Sequence, residues 1–330
     1  MPPSRFTIAL LLAALLPCAP TLAASGSEKG ALSFQFENDL FFNADHDYTN
    51  GVQLAYTTTP DDTPDWAVNL ARMLPLFHPT GEVRTRYALG QAIYTPENTT
   101  LANPLPTDRP YAGFLYASMG LVTDNGSNLD QLQVTLGVIG PASLASDSQR
   151  WIHSIIDDKK PAGWSTQLRD EPGLVITYQR TMKIIPPQSA LGGVFDIAPH
   201  WGAAAGNVYD YANAGAMARF GFNLPRDYGP IRIQPSLPGS GYFEPTAGFG
   251  AYLFAGVEGR AIARNLFLDG NSFEASRSVA KFNLVGDALF GAAITFESFR
   301  IAFTHVIRTR EYKSQQSQNE FGAVDLTVRF

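Results

Sequence analysis

An amide and a carboxylate stand side by side in Asn38-Asp39, a hydroxyl follows in Thr49, and an amide and an imidazole stand four residues apart in Gln149 and His153. Ester hydrolysis needs groups of these kinds: a base for water, donors for the developing oxyanion, and a means of holding the acyl carbonyl nearby. Histidine is the side chain whose charge changes near neutral pH, which makes His153 the natural base. Asp39 is suited either to orienting that imidazole or to holding a metal ion. Asn38, Thr49 and Gln149 are candidates for donating to the oxyanion or positioning the water, and the sequence does not divide those roles among them.

Taken singly, each feature has a plainer explanation. Ser146-x-x-Gln149 matches a capping box, in which Gln149 only satisfies a backbone N–H. Asn50-Gly51 before an alternating run is an ordinary hairpin signal. Asn38-Asp39 reads equally as the start of a loop, and a lone histidine on a loop helix is often merely exposed. What matters is whether the elements carrying them bring them to one place.

Those elements alternate with period two, the mark of half-buried strands. Leu32, Phe34 and Phe36 share one face, with Ser33, Gln35 and Glu37 on the other. Leu132, Val134, Leu136 and Val138 alternate with Gln131, Gln133, Thr135 and Gly137. From Lys281 to Glu297, Phe282, Leu284, Phe290, Ile294 and Phe296 oppose Lys281, Asn283, Asp287, Thr295 and Glu297. At the end, Val324, Leu326, Val328 and Phe330 alternate with Asp325, Thr327 and Arg329. Large apolar residues on one face and small or charged ones on the other fit an antiparallel transmembrane β-barrel with lipid outside and a polar interior. A soluble β-sandwich also alternates. The recurrence of glycine and aromatics in nearly every segment, and an ending on Phe330 within a strand, favour the barrel.

The segments 31–38, 51–59, 86–95, 113–122, 130–139, 172–183, 193–203, 212–221, 249–263, 280–296, 299–309 and 321–330 make about twelve strands, an even number as single-chain bacterial barrels usually have. With the N-terminus in the periplasm, loops 39–50, 96–112, 140–171, 204–211, 264–279 and 310–320 face outward. Inner connections are then 60–85, 123–129, 184–192, 222–248 and 297–298. Two of these are long: 60–85 holds an amphipathic helix candidate (Trp66, Leu70, Met73, Leu74), and 222–248 is rich in Pro and Gly.

All the candidate residues fall on the outward side. Ser146 to Ile156 reads as a short helix in an extracellular loop, with Ser146 as its cap and Lys159, Lys160 and Pro161 at its end. Gln149 and His153 share one helix face. Trp151, Ile152, Ile155 and Ile156 form an apolar side suited to the barrel rim or the lipid interface. Strand parity puts Asn38 with Phe34 and Phe36 on the lipid side. The expected site is therefore a cleft in the outer wall, level with the outer leaflet, which a lipid enters sideways.

Of 330 residues, only 16% are charged, and no apolar run past the first two dozen reaches the roughly 20 residues a helical span needs. Residues 1–23 read as a signal peptide: Arg5, the apolar run Phe6 to Leu16, and Thr21-Leu22-Ala23 before cleavage. Residues 24–330 then form the barrel. The one cysteine, Cys18, lies in the leader, which excludes disulfides and cysteine–metal sites from the mature chain. A formal charge of −6 disfavours nucleic acid as partner.

Phe36-Glu37-Asn38-Asp39, Asp47-Tyr48-Thr49-Asn50-Gly51, Tyr94-Thr95-Pro96, Asp108-Arg109-Pro110-Tyr111-Ala112-Gly113 and Gly137-Val138-Ile139-Gly140-Pro141, followed by Gln149 and His153, resemble the lipid A 3′-O-deacylase family of Gram-negative outer membranes. The resemblance runs in order along nearly the whole mature chain. It implies a twelve-stranded barrel, integral in the outer membrane with its site outside, that removes the 3′-linked acyloxyacyl group from lipid A. It also implies dependence on calcium. The functional residues it carries over are Asn38, Asp39, Thr49, Gln149 and His153. Calcium takes oxygen ligands, so Asp39 is the first candidate metal ligand, with Glu37 and Asp47 behind it. The family's second outer loop supplies a lysine; here Tyr94 to Asp108 contains none, Leu101 stands near that place, and Arg109 is the nearest basic residue. Arg109, Arg308, Arg310 and Lys313 are the candidates for contact with substrate phosphates, ordinary solvated charge being the alternative for the last three.

Two other readings stay open. An outer-membrane phospholipase would place a nucleophilic serine beside the histidine, and His153-Ser154 is the one adjacent pair. A non-enzymatic pore or adhesin would use the barrel alone.

Overall fold

The computed structural model describes residues 30–42, 47–74, 77, 81–156, 160–230, 232–233, 243–244 and 246–330. The expected signal peptide, the middle of loop 39–50 and Lys159 lie outside the described residues. So do the side chains of Asp47, Ile155 and Ile156.

Alternation does become strand. In chain order these are β1 (Ala31–Asn38), β2 (Asp47–Thr57), β3 (Glu82–Thr95), β4 (Ala112–Asp124), β5 (Asn128–Ile139), β6 (Glu171–Met182), β7 (Ile185–Ala190), β8 (Gly193–Gly206), β9 (Tyr209–Phe222), β10 (Phe249–Asn265), β11 (Leu284–Phe296), β12 (Phe299–Arg308) and β13 (Asn319–Arg329). Except for β6 and β7, neighbours in sequence are neighbours in the sheet, all antiparallel, and β1 pairs with β13 while β6 pairs with β8. Those two pairings close a twelve-stranded barrel and leave no long free edge. The added strand, β7, falls where the sequence suggested only a connection. It folds back on β8 through Leu191 and Gly192, both at positive φ, as a two-residue hairpin turn requires.

Among the described residues three α-helices interrupt the meander: α1 (Asp65–Arg72), α2 (Ala145–Ile156) and the single turn α3 (Leu266–Asp269). None among the described residues is long and apolar enough to span a membrane. The crossing is made by strands, whose outward residues are apolar and exposed, among them Leu54, Leu89, Leu136, Ile176, Leu253, Val257, Leu284 and Phe303.

The inward residues are polar and buried, and the barrel satisfies them with ion pairs. Asp287 receives Arg260 at 2.8 Å, Arg308 at 2.9 Å and Arg232 at 2.5 Å. Asp325 receives Arg300 at 2.9 Å, and Glu258 receives Arg260 at 2.6 Å and His200 at 3.0 Å. Buried charges persist only when matched in this way.

Described residues of the long β9–β10 connection bond to the inner wall. Asp227 pairs with Arg219 and Arg300 near the end where β10 begins. Six residues later, the Ile233 N–H donates to Glu37 Oε1 at 2.8 Å, near the opposite end. On the return, the Phe243 carbonyl accepts from Arg329 at 3.1 Å. Asp227, Arg232 and Ile233 therefore lie inside the lumen, the Asp and Arg complementing the wall.

At the rim where β1 ends, which we call the site rim, aromatic rings pack together in the lumen. Phe267 of α3 stacks on Tyr94 with centroids 4.1 Å apart, and the Tyr94 and Tyr209 hydroxyls are 2.8 Å apart. Tyr48 meets Phe321 edge-on at 5.1 Å. Above them the loops interlock: Arg277 donates to the Pro104 and Leu105 carbonyls, and Tyr312 OH donates to Asp108 at 2.9 Å.

Candidate active site on the outer wall

The candidate residues lie on adjoining elements at the site rim: Asn38 ends β1, Asp39 opens the turn after it, Thr49 is in β2, and Gln149 and His153 are on α2, which packs on β3 and β4. Asn38 is the last residue of β1 and pairs with Asn50 of β2. Along β1 the odd residues Ser33, Gln35 and Glu37 are buried in the lumen, so Asn38 faces out with Phe34 and Phe36, as parity predicted. The turn Asp39–Phe42 then folds over the outside, placing Phe41 against Phe36 and Phe303.

Thr49 reaches the outer face through an irregularity. The β2–β3 register shifts between Tyr48 and Asn50: Tyr48 opposes Tyr94, but Asn50 opposes Ile93. Thr49 is the extra residue of this β-bulge, a device that re-aims a side chain. Its Oγ1 lies 2.7 Å from Thr95 Oγ1. Asn50-Gly51, which also reads as a turn signal, lies inside the strand, because the bulge keeps β2 paired back to Asp47.

Residues facing out of a barrel should be exposed. Asn38, Thr49, Asn50 and Thr95 are instead 4%, 3%, 3% and 0% exposed, because the wall here has a second layer. The loop after β5 folds back against it: Gln91 of β3 donates to the Ser143 carbonyl at 2.6 Å, and Ser143 and Ala145 sit on Gly113 of β4, where any Cβ would strike both. Left-handed Leu144 then turns the chain into α2.

α2 buries Ala145, Gln149 and His153, one every fourth residue, and leaves Arg150, Trp151 and Ser154 exposed. The expected capping box does not form. The helix begins at Ala145, with the Asp147 and Ser148 N–H groups bonded to the Leu144 carbonyl, and the Ser146 hydroxyl accepts from Arg150. Gln149 is thereby released for another bond: its Oε1 accepts from Trp164 Nε1 at 2.8 Å. Trp164 packs on Tyr111 at 4.8 Å, and both join Ile93 and Ala145 in one apolar cluster behind the helix. Trp151, 67% exposed, points away from the wall.

The basic residues part company. Arg109 is fully buried and pairs with Glu311 at 3.3 Å; Arg308 is buried on Asp287. Both serve the interior, which corrects the expectation that they face phosphates: a guanidinium without solvent access cannot meet a lipid headgroup. Arg310 and Lys313 are exposed at the site rim, Arg310 lying over the Phe282 ring at 5.6 Å.

Among the described residues no group of three or more His, Cys, Asp or Glu comes together as a metal cage. Glu37 turns into the lumen, where it bonds Ile233. What the ends of β1 and β2 offer is the Asp39 carboxylate with the amide and hydroxyl oxygens of Asn38 and Thr49, donors of the hard-oxygen type that calcium takes. Thr95, Asn50, Tyr111 and Trp164 went unassigned in the sequence. The slip of alternation at Tyr48-Thr49-Asn50 was the signal that would have exposed the first two.

A closed antiparallel barrel with an apolar outer wall and charged residues paired inside it defines an integral outer-membrane protein. A family model described as outer membrane protein LpxR matches residues 8–330; the chain belongs to this family. Among solved structures it is similar to LpxR from Salmonella typhimurium, with a TM-score of 0.74 at 21% identity over 91% of this chain and 100% of that one. The β domain of the Bordetella autotransporter BrkA aligns with a TM-score of 0.44 at 8% identity, covering 92% of this chain and 100% of that one. No curated protein matches the chain.

Proposed function

We propose that the protein removes the 3′-linked acyl (acyloxyacyl) group from lipid A by ester hydrolysis at the external face of the outer membrane. One observation carries this reading: α2, with Gln149 and His153 buried, packs on β3 and β4, beside the ends of β1 and β2 that hold Asn38, Asp39 and Thr49. A lipid can reach this outer face laterally. His153 takes the proton of the attacking water, and Asp39 orients the imidazole or holds a cation. Asn38, Thr49 and Gln149 position the water or donate to the oxyanion. Calcium, when bound, would be held by Asp39 with neutral oxygens of Asn38 and Thr49, and supplies polarisation of the ester carbonyl. Arg310 and Lys313 are the exposed cations at the site rim for substrate phosphates.

Neither alternative has comparable support. Ser154 Oγ donates to the Trp151 carbonyl at 2.6 Å on the exposed side of α2, while His153 is buried; that pair is not a nucleophile and its base. A diffusion pore needs a free lumen, and here Asp227, Arg232 and Ile233 lie within it, bonded to the wall. The test is mass spectrometry of lipid A from cells expressing the wild-type chain, His153→Ala or Asp39→Ala. Loss of 3′ acyl chains with the wild type only is the expected result. Unchanged lipid A in calcium-containing medium, with folded wild-type barrel present, would overturn the proposal.

A further inference from the structure

The other helix on the outer wall, α1, has no part in this chemistry. Its sequence, Asp65-Trp66-Ala67-Val68-Asn69-Leu70-Ala71-Arg72, continued by Met73-Leu74, divides at 100° per residue into three arcs. Ala67 and Ala71 occupy one, and both are buried. They pack with Phe77 on Leu121 of β4, alongside Met119, Leu132 and Val83. Alternation along β3, β4 and β5 turns these wall residues outward, with exposed Tyr87, Leu89, Val134 and Leu136. The helix therefore lies outside the barrel, at the rim opposite the site.

The adjoining arc holds Trp66, Leu70, Met73 and Leu74, which are 62%, 60%, 79% and 41% exposed. The remaining arc holds Asp65, Asn69 and Arg72, also exposed. The apolar arc is continuous with the barrel's lipid-facing belt, whose far edge is marked by exposed Phe222, Phe249, Phe296 and Phe330 at the strand ends. An aromatic girdle of this kind marks the membrane–water interface of a barrel.

We propose that α1 is an interfacial anchor, with Trp66, Leu70, Met73 and Leu74 seated among the acyl chains of the phospholipid leaflet opposite the candidate site. Its polar arc faces water, and its alanines let it lie flush on the wall. Since α2 packs on β3 and β4 at the site rim and α1 on β4 at the other, the anchor fixes the depth of the wall sector that carries the cleft.

The test uses nitroxide labels at Leu70→Cys and Asn69→Cys, each in the full chain with Cys18→Ser, reconstituted in phosphatidylethanolamine/phosphatidylglycerol bilayers. Leu136→Cys serves as the lipid-facing reference. The ratio of oxygen to nickel-chelate accessibility at 70 is expected to match that at 136 and to exceed that at 69 several-fold. A label at 70 as open to the nickel chelate as one at 69 would mean a water-exposed face. One shielded from both reagents would mean a protein covering it, a second copy included. Either result overturns the proposal.

Discussion

The Ile233 N–H reaches the Glu37 carboxylate from inside the lumen, 2.8 Å from Oε1, one residue before Asn38 emerges on the outer face. This contact from the lumen thus supports the strand end that carries the candidate site. Glu37→Ala leaves a buried N–H without its acceptor, at a cost of about 1–3 kcal/mol. Glu37→Gln keeps an acceptor oxygen and should recover most of that loss. Denaturant unfolding followed by the mobility shift of folded barrels on gels measures both, and equal losses in the two variants would contradict the assignment.

Gly113 is the contact through which the α2 loop meets the wall. Gly113→Val puts a branched side chain into Ser143 and Ala145 while leaving the strand pairing intact, because valine favours strands. The barrel should still form, and hydrolysis should drop about 100-fold, as expected for a displacement of roughly 1 Å in a positioned group. Trp164→Phe removes the donor to Gln149 together with part of the ring packed on Tyr111; loss of the hydrogen bond alone should cost about 1 kcal/mol, or about fivefold in rate. Product formation by mass spectrometry on folded protein separates the two effects.

The two exposed and two buried arginine or lysine candidates predict opposite phenotypes. Arg308→Ala strips Asp287 of one of three guanidinium partners in the interior and should destabilise the barrel by about 3–5 kcal/mol. Arg310→Ala with Lys313→Ala should leave stability unchanged and raise KM for a phosphorylated lipid more than for its dephosphorylated form. A parallel rise for both lipids would exclude a phosphate contact.

Acid should loosen the lumen segment. Burial disfavours the charge of Asp227, but Arg219 and Arg300 beside it outweigh burial and hold the carboxyl below the usual carboxylate range. A group depressed in this way contributes stability that is fully present above its unfolded value, about pH 4, and is lost as pH falls through the folded value. Thermal unfolding of the wild type should therefore weaken below about pH 4, and Asp227→Asn should be less stable at neutral pH with a flatter acid limb. Identical acid limbs in the two proteins would refute the role given to Asp227.

The sequence alone determined the barrel, its strand count and which face of each strand meets lipid, because alternation is a local property that a sheet must respect residue by residue. It also placed Asn38 on the lipid side and paired Gln149 with His153 on one helix face, for the same reason. The tertiary structure decided what lies on the other side of each of those faces. A one-residue bulge turned Thr49 outward, Trp164 claimed Gln149 in place of the helix cap, and Arg109 and Arg308 went to carboxylates inside. Asp227, Arg232 and Ile233 of the Pro- and Gly-rich connection took partners inside the lumen. None of these has a period to read, since each depends on which charge or hydrogen-bond partner the closed barrel brings within reach from a distant part of the chain.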